Sequence, residues 1–533
     1  MKSVMEQSFS QAPTADIPRS SFNRSHGYKT TFDAGKLIPV FVDEALPGDT
    51  FTINPTLFAR LNTPIYPIMD NMFLDIHWFS VPYRQIWENF RKFCGEQANP
   101  GDSTDYTIPI LTTSISASIA TGDIGDYMGL PIGKSGLEIN ALPGRAYVHI
   151  YNEWYRDQNL IDSKTRATDD GPDTTNECPY DQTPFSRGKR HDYFTSCLPW
   201  LQKGDAVELP LGTEAPISGF GSLSATYTSA ANPVYMTGGT TENWGTASQQ
   251  TTTMRVQEDP DNAGYPNVYA DLANAIGPTV NALRQAFQIQ KLLERDARSG
   301  TRYSEIVKAH FGVNFMDVTY RPEFLGGTSV PINIQQVPQT SESNTTPQGT
   351  LAAYGTATAQ GGGFTKSFTE HCVVMGIVSA RADLTYQQGL NRMWSRQTRY
   401  DLFWPALAHI GEKAVLTQEL WASDSTQDTG TTGTPDNDKV FGYQERWAEY
   451  RYKPSQITGL LRTAAAGTLD SWHLSQSFST LPELNETFIA ETPPMDRVVA
   501  VPTEPDFLLD CYFNFQCARP IPLFSVPGLV DHF

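Results

Sequence analysis

The chain has 533 residues, and its 39 Lys and Arg against 58 Asp and Glu give a formal net charge of −19 at pH 7. A free-standing nucleic-acid-binding protein is usually basic, so this charge argues against that class. Forty glycines and 37 prolines indicate many turns, and no apolar run reaches the roughly twenty residues that a membrane helix needs.

The N-terminal region predicts an arm followed by short strands. Residues 1–25 are polar and lack an apolar stretch, so we expect an arm and no signal peptide. The runs "KLIPVFVDEA" and "DTFTINP" are strand-like and are separated by the turn signal Leu46-Pro47-Gly48-Asp49. Next, "NMFLDIHWFSVP" alternates, with Trp78 on one side and Phe79 on the other. This pattern predicts a strand covered on both faces.

A stripe of aromatic residues follows in "RAYVHIYNEWYRDQNL", which begins at Arg145. Tyr147, Ile150, Tyr151 and Trp154 share one helical face. Their spacing is that of a buried helix, so we interpret them as core residues rather than as a platform for stacked bases.

Residues 212–268 are rich in Gly, Thr, Ser and Ala, and Arg255 is the only basic residue between Gly204 and Leu283. Loops of this length in a compact domain are usually functional or disordered. The segment therefore predicts a surface insertion that is poorly suited to binding phosphate.

The next segment predicts a long amphipathic helix. Pro278 stands where a helix can begin, and Ser299-Gly300 marks its end. Val280, Leu283 and Phe287 recur at helical spacing.

The rest of the chain predicts strands separated by long polar loops. We expect loops at 326–365 and 421–440, with the strand "HCVVMGIVSARADL" between them. In "DFLLDCYFNFQCARP", alternate residues from Phe507 to Cys517 share one face. Short strands with long excursions favour a β-sandwich or jelly roll, whereas a parallel α/β fold needs alternating helices that are missing.

Sequence motifs of common enzymes are absent. We find no phosphate loop, dinucleotide fingerprint, zinc-peptidase motif or nucleophile elbow. The six cysteines form no CxxC pair, and we interpret Cys511 and Cys517 as buried small hydrophobic residues rather than metal ligands. Missing motifs are weak evidence by themselves, because many active sites are assembled from distant loops. Our expectation is nevertheless no enzymatic activity, no cofactor and no metal.

Two segments combine cations with aromatic rings, "NRMWSRQTRYDLFW" (391–404) and "YQERWAEYRYKP" (443–454). Their candidate phosphate-binding residues are Arg392, Arg396, Arg399, Arg446, Arg451 and Lys453. Bases would stack on Trp394, Tyr400, Trp447 or Tyr452. The alternative, which we prefer, is a subunit interface or core, because Arg, Trp and Tyr are enriched at interfaces.

The chain resembles the major capsid protein of the Microviridae, small icosahedral single-stranded-DNA bacteriophages, and among them the gokushoviruses. The resemblance extends from Arg19 to Phe533. It is carried by "RSSFNRSHGYKTTFDAGKLIPVFVDEALPGDT", "LRQAFQIQKLLERDARSGTRYSEIVKAHFGV", "RPEFLGG", "GFTKSFTEH", "RADLTYQQGL", "MWSRQTRYDLFWPALAHIGE", "FGYQERWAEYRYKPS" and "SVPGLVDHF".

The resemblance implies a mainly β fold, an eight-stranded antiparallel viral jelly roll with large loop insertions and a few helices. Residues 26–533 would form this single domain, with 212–268 as the candidate protrusion at each three-fold axis, used in host attachment. Sixty copies would form a T=1 shell around circular single-stranded DNA, assembled in the bacterial cytoplasm.

Further partners follow from the resemblance and from charge. Sixty copies at −19 repel an anionic genome, so packaging needs basic patches inside the shell, counter-ions or a separate basic peptide. The resemblance implies the last of these, a small basic DNA-associated viral protein. The family also implies an internal scaffolding protein, a minor or pilot protein and a receptor on the bacterial surface. We predict subunit contacts through Arg284, Lys291, Arg295 and Arg298 of the long helix and through Trp394, Trp404 and Trp447.

The alternative from another class is a β-rich carbohydrate-binding or carbohydrate-active protein, because Tyr, Trp and Asp on long loops suit sugars. A secreted enzyme of that kind usually carries a signal peptide, for which the N-terminal sequence gives no indication.

Overall fold

The computed structural model describes residues 18–113, 118–208, 217–218, 269–270, 279–314, 319–345, 347–430 and 432–524. The chain divides into two compact units, Met1–Leu201 with Gly300–Phe533 and Gln202–Ser299. Its strands are β1 (Ser20–Asn23), β2 (His26–Phe32), β3 (Ile38–Ala45), β4 (Thr50–Leu61), β5 (Met72–Pro82), β6 (Ile110–Thr112), β7 (Glu138–Asn140), β8 (Ile217–Ser218), β9 (Tyr269–Ala270), β10 (Glu323–Pro331), β11 (Asn333–Pro338), β12 (Leu351–Gln360), β13 (Phe364–Ser367), β14 (Cys372–Ala382), β15 (Thr385–Tyr386), β16 (Glu412–Leu416), β17 (Val440–Glu445), β18 (Ser455–Gln456) and β19 (Phe507–Arg519). The α-helices are α1 (Tyr83–Ile86), α2 (Phe90–Phe93), α3 (Ile124–Tyr127), α4 (Leu142–Ile150), α5 (Val280–Ser299), α6 (Tyr303–Phe311), α7 (Thr417–Leu420) and α8 (Glu486–Ile489).

Eight strands of the first unit form two antiparallel sheets. One sheet contains β2-β19-β4-β13, and the other is β3-β14-β5-β10. Along the chain, β2 to β5 alternate between the two sheets, and β13, β14 and β19 alternate again. The additional strands β1, β11 and β12 extend the first sheet to seven strands. This connectivity is that of a jelly roll, so the predicted fold is confirmed.

The two sheets share one hydrophobic core. Phe41 of β3 lies 5.4 Å from the ring centroids of both Trp78 and Phe513 and 5.7 Å from that of Phe515. Every inward residue of β19 from Phe507 to Cys517 is buried, as its alternation predicts. Edge-to-face aromatic contacts of this kind add specific geometry to the hydrophobic burial.

A helical layer covers the outer face of the four-stranded sheet. Val373, Met375 and Ile377 of β14 belong to the same buried cluster as Tyr147 and other residues of α4. Consequently β14 is buried at all of its positions. The predicted aromatic stripe is thus core, although its last member, Trp154, remains 37% exposed.

The predicted loop at 326–365 is wrong, because most of this segment forms β10, β11, β12 and the start of β13. In β12 the inward side chains are small, at Ala353, Ala357 and Ala359, and the outward ones include Tyr354, Thr358 and Gln360. Such a strand lacks the large apolar residues that reveal alternation. At 421–440 the described residues contain a 3-10 turn at Asp436–Asp438 and the first residue of β17, so the loop prediction largely holds.

Two large insertions interrupt the jelly roll, residues 83–322 between β5 and β10 and residues 383–506 between β14 and β19. The predicted long helix is confirmed as α5, which lies in the second unit. Apart from Ile217–Ser218, the predicted protrusion 212–268 lies outside the described residues, as do residues 1–17 of the predicted arm. The end of that arm is part of the sheet, since Ser20–Asn23 pairs with β19.

Candidate nucleic-acid and subunit-contact site

The two segments that combine cations with aromatic rings meet in the insertion 383–506. The strand β16 pairs with β17, and β15 pairs in parallel with β18, so the loops around them converge. Phe403 lies 5.6 Å from the ring of Trp447, and the Arg396 guanidinium lies 4.3 Å from the ring of Tyr450. Residues 391–410 and 443–456 therefore form one surface, named here the basic-aromatic surface.

Three of the six predicted phosphate-binding residues have carboxylate partners within the chain. Arg392 Nη1 lies 2.7 Å from Glu419 Oε1 and also donates to the Ala414 carbonyl. Arg396 Nη2 lies 3.7 Å from Glu449 Oε1, and Arg451 pairs with Glu445. These pairs reduce the positive charge that each arginine offers to a phosphate.

The other three cations have no carboxylate partner among the described residues. The Arg399 guanidinium lies 5.1 Å from the ring of Trp404, and that of Arg446 lies 5.0 Å from the ring of Trp447. Lys453 is exposed. Burial, with the nearby charges of Arg392 and Arg446, lowers the pKa of Lys413. The surface thus keeps a local excess of positive charge in an acidic protein.

The predicted interface tryptophans differ in their exposure. Trp394 is 70% exposed and Trp404 is 43% exposed. Trp447 is only 5% exposed, and its Nε1 donates to the Leu407 carbonyl at 2.9 Å. We therefore correct the prediction for Trp447, whose burial makes it a core residue of its own subunit.

Large apolar side chains are exposed along the same surface. They are Met393, Trp394, Tyr400, Leu402, Phe403, Trp404 and Ile410. Soluble monomers rarely expose contiguous apolar patches, which typically mark protein contacts. This composition supports a contact surface more directly than the charges do.

The predicted contact residues of α5 lie at the surface of the second unit. Arg284, Lys291, Arg295 and Arg298 are exposed. The same helix also exposes Phe287 and Leu292. Both polar and apolar groups of α5 are therefore accessible.

A pocket opens beside the basic-aromatic surface and encloses about 590 Å³, including the solvent at its mouth. Its aromatic lining residues are Tyr193, Phe194, Tyr386 and Tyr452. Its charged lining residues are Arg392, Glu419, Glu449 and Lys453.

The hydroxyl of Tyr193 donates to Glu419 Oε2 at 2.9 Å, and burial next to this carboxylate raises the pKa of Tyr193. The hydroxyl of Tyr386 similarly donates to Asp192 at 2.6 Å.

Sequence reasoning found Arg392, Tyr452 and Lys453 but missed most of the pocket. Tyr193 and Tyr386 come from distant segments, so no local spacing could bring them together. The sequence did contain one indication of the pocket. Glu449 is a carboxylate inside the basic and aromatic run "WAEYRY".

Acidic side chains of the loop 421–440 form ion pairs with a lysine of the same chain. Lys439 Nζ lies 2.8 Å from Asp428 and 2.7 Å from Asp436. In the described part of the chain, no three His, Cys, Asp or Glu side chains converge as a metal site. No helix among those residues has the length and apolar character to cross a membrane.

Jelly rolls occur in viral capsid subunits and also in lectins and cupins, and a large exposed contact surface is typical of subunits that assemble. Residues 10–529 match the family described as capsid protein (F protein), and the chain belongs to this family. It is 45% identical to capsid protein VP1 of Bdellovibrio phage phiMH2K, over 99% of this chain and 98% of the relative.

Two further relatives agree. Capsid protein VP1 of Chlamydia phage 1 is 44% identical over 99% of this chain and 98% of its own length. Capsid protein VP1 of Spiroplasma virus 4 is 33% identical over 98% and 97%. The resemblance to gokushovirus-type capsid proteins is confirmed, and the structural capsid role places the chain in the virion.

Proposed function

We propose that sixty copies of the chain assemble into a T=1 icosahedral shell that encloses circular single-stranded DNA. The observation that carries this proposal is the full-length match to capsid proteins on an eight-stranded jelly roll. It favours the shell over the carbohydrate-binding alternative. Electron microscopy of the purified full-length protein tests it, with uniform closed particles of sixty subunits expected. A soluble monomer under all assembly conditions would contradict it.

Copies of the chain contact one another through the basic-aromatic surface in this proposal. Trp394 has the strongest support, because it is 70% exposed and would otherwise hold a large apolar group in water. We expect Trp394→Ala to lower particle yield at least tenfold, since exposed aromatics at interface centres contribute about 2 kcal/mol or more.

The control for Trp394→Ala is the unfolding midpoint of the isolated subunit. It should stay unchanged, because an exposed side chain contributes within about 0.5 kcal/mol to folding. Tyr512→Ala provides a matched removal of an exposed aromatic on the seven-stranded sheet. Equal particle yields for Trp394→Ala and the wild type would remove Trp394 from the interface.

Packaged DNA contacts Arg399, Arg446 and Lys453 in preference to Arg392, Arg396 and Arg451. The support is that the first three have no carboxylate partner among the described residues, whereas the second three do. The logarithm of the affinity for single-stranded DNA falls linearly with the logarithm of the salt concentration. Replacing Arg399 and Lys453 by Ala should make this line less steep, by the slope that about two phosphate contacts contribute. An unchanged salt slope would contradict this assignment.

Residues 212–268 form the host-attachment protrusion in this proposal, supported by their length and near absence of cations. A particle in which a short Gly-Ser linker replaces them should assemble but lose adsorption to host cells. Retained adsorption would exclude the segment from attachment. A small basic DNA-associated protein, a scaffolding protein and a minor or pilot protein complete the proposed partners, with assembly in the host cytoplasm.

A further inference from the structure

We propose that the pocket of Tyr193, Tyr386 and Tyr452 takes one unstacked base of the packaged DNA and that Glu449 selects guanine. This inference rests on the proposed function, because it requires the single-stranded genome to reach the basic-aromatic surface. It adds a base preference to contacts that would otherwise be made to phosphates alone.

The first support is an unsatisfied acceptor. The Glu449 side chain is only 7% exposed, and its buried Oε1 accepts no hydrogen bond from any residue that the structure describes. The facing cation, Arg396, lies 3.7 Å away, beyond hydrogen-bond distance. Buried carboxylate oxygens are almost always hydrogen-bonded, so a ligand that supplies N–H donors would complete the site.

The second support is the lining of the pocket. Tyr193, Phe194 and Tyr386 are each at most 6% exposed and present aromatic rings, and Tyr452 lies 6.4 Å from the Tyr193 ring. Flat aromatic walls suit a base that has left its stack. Lys453 also lines the pocket, where an exposed ammonium can meet the phosphate of the same nucleotide.

The choice of guanine follows from donor geometry. A carboxylate accepts two parallel hydrogen bonds from the N1–H and the exocyclic amino group of guanine. Thymine places a carbonyl oxygen on each side of its single N–H, and both oxygens repel a carboxylate. Adenine and cytosine each offer an amino group beside an acceptor nitrogen, so they should rank between the two.

The test titrates the purified full-length subunit with dGMP and with TMP, which carry the same phosphate, and follows binding by calorimetry. We expect dGMP to bind roughly tenfold more tightly, since a good bidentate contact to a base discriminates by about 5- to 100-fold. Glu449→Gln should abolish the preference. Lys453→Ala should weaken both nucleotides equally and leave their ratio unchanged.

Tyr452→Ala is a second probe, because the residue is 44% exposed and its loss should not unfold the subunit. It should weaken both nucleotides by removing a wall. Equal affinities of the wild type for dGMP and TMP would overturn the inference, and so would an intact preference in Glu449→Gln. Tighter binding of N-acetylglucosamine than of dGMP would also overturn it.

Particle formation separates this inference from the proposed function. If the wild-type protein forms closed particles but shows no base preference, the pocket assignment is contradicted and the proposed shell is not. Failure of the wild-type protein to form particles would instead contradict the proposed function itself.

Discussion

The two sheets of the jelly roll differ in how many of their faces are buried. The four-stranded sheet is covered on both faces, by the sandwich core on one side and by the layer of α4 on the other. Among the described residues, side chains cover the seven-stranded sheet on its inner face only, and in β19 buried and exposed positions alternate. The same sandwich therefore contains strands of two sequence types.

This difference predicts where substitutions are tolerated. On the outer face of the seven-stranded sheet, Phe58, Leu508 and Tyr512 are each about half exposed. Such a face is available to other molecules, whereas the outer face of the four-stranded sheet is already occupied by its own chain. Variation should therefore concentrate on one sheet.

The largest effect is expected where the sheets meet. Trp78 is fully buried, contacts Phe41 and Phe513, and donates its Nε1 hydrogen bond to the Gly362 carbonyl at 3.0 Å. Trp78→Ala should lower the free energy of unfolding by about 3–5 kcal/mol. Urea denaturation of the isolated subunit measures this loss, and a change below about 1 kcal/mol would contradict a shared core.

The outer faces can be compared directly with a pair of substitutions. Met375→Ala on the covered face should cost about 2–5 kcal/mol, because the side chain is fully buried against the helical layer. Leu508→Ala on the open face should cost within about 0.5 kcal/mol, since Leu508 is 53% exposed. Similar unfolding midpoints for the two variants would remove the distinction between the sheets.

A pH-dependent effect is expected where β19 begins. Burial, with Asp33 and Asp496 nearby, raises the pKa of Asp506 to about 6. The raised pKa means that the protonated carboxyl favours the folded state. This contribution is present below about pH 4 and is lost as the pH rises through 6.

Asp506→Asn tests that sign, because an amide oxygen can still accept the Ala34 N–H bond, which is 2.9 Å long. The variant should gain stability relative to the wild type as the pH rises from about 4 to 7. Melting temperatures across this range measure the difference. A gain in the opposite direction would show that Asp506 is favoured in its ionised form.

The smallest effect is expected for an ion pair on the open face. Lys29 Nζ lies 2.6 Å from Asp510, with 76% and 52% of the two side chains exposed. Lys29→Ala should change the free energy of unfolding by at most about 1 kcal/mol, and by less at high salt. A larger loss in denaturation experiments would show that this face is less open than its exposure indicates.

The sequence predicted elements whose side chains carry a strong contrast between apolar and polar positions. The strands around Trp78 and Phe515 and the helix α5 were found for this reason. The strand β12 was missed, because its inner face is lined by Ala353, Ala357 and Ala359, which alternate without large apolar groups.

Only part of the candidate site could be predicted from the sequence, for a different reason. Arg392 and Lys453 lie in recognisable basic and aromatic runs, but Tyr193 reaches the pocket from a segment about 200 residues away in sequence. Pairing between Arg396 and Glu449 likewise depends on tertiary contacts, so unpaired cations could not be separated from paired ones without coordinates.

The position of β19 has a consequence for how the subunit is made. This strand is formed by Phe507–Arg519 near the C-terminus, yet it lies between β2 and β4 from the other end of the chain. The ribosome must therefore synthesise the chain through Arg519 before the seven-stranded sheet can close. Pairing across such long sequence separations makes this last step slow.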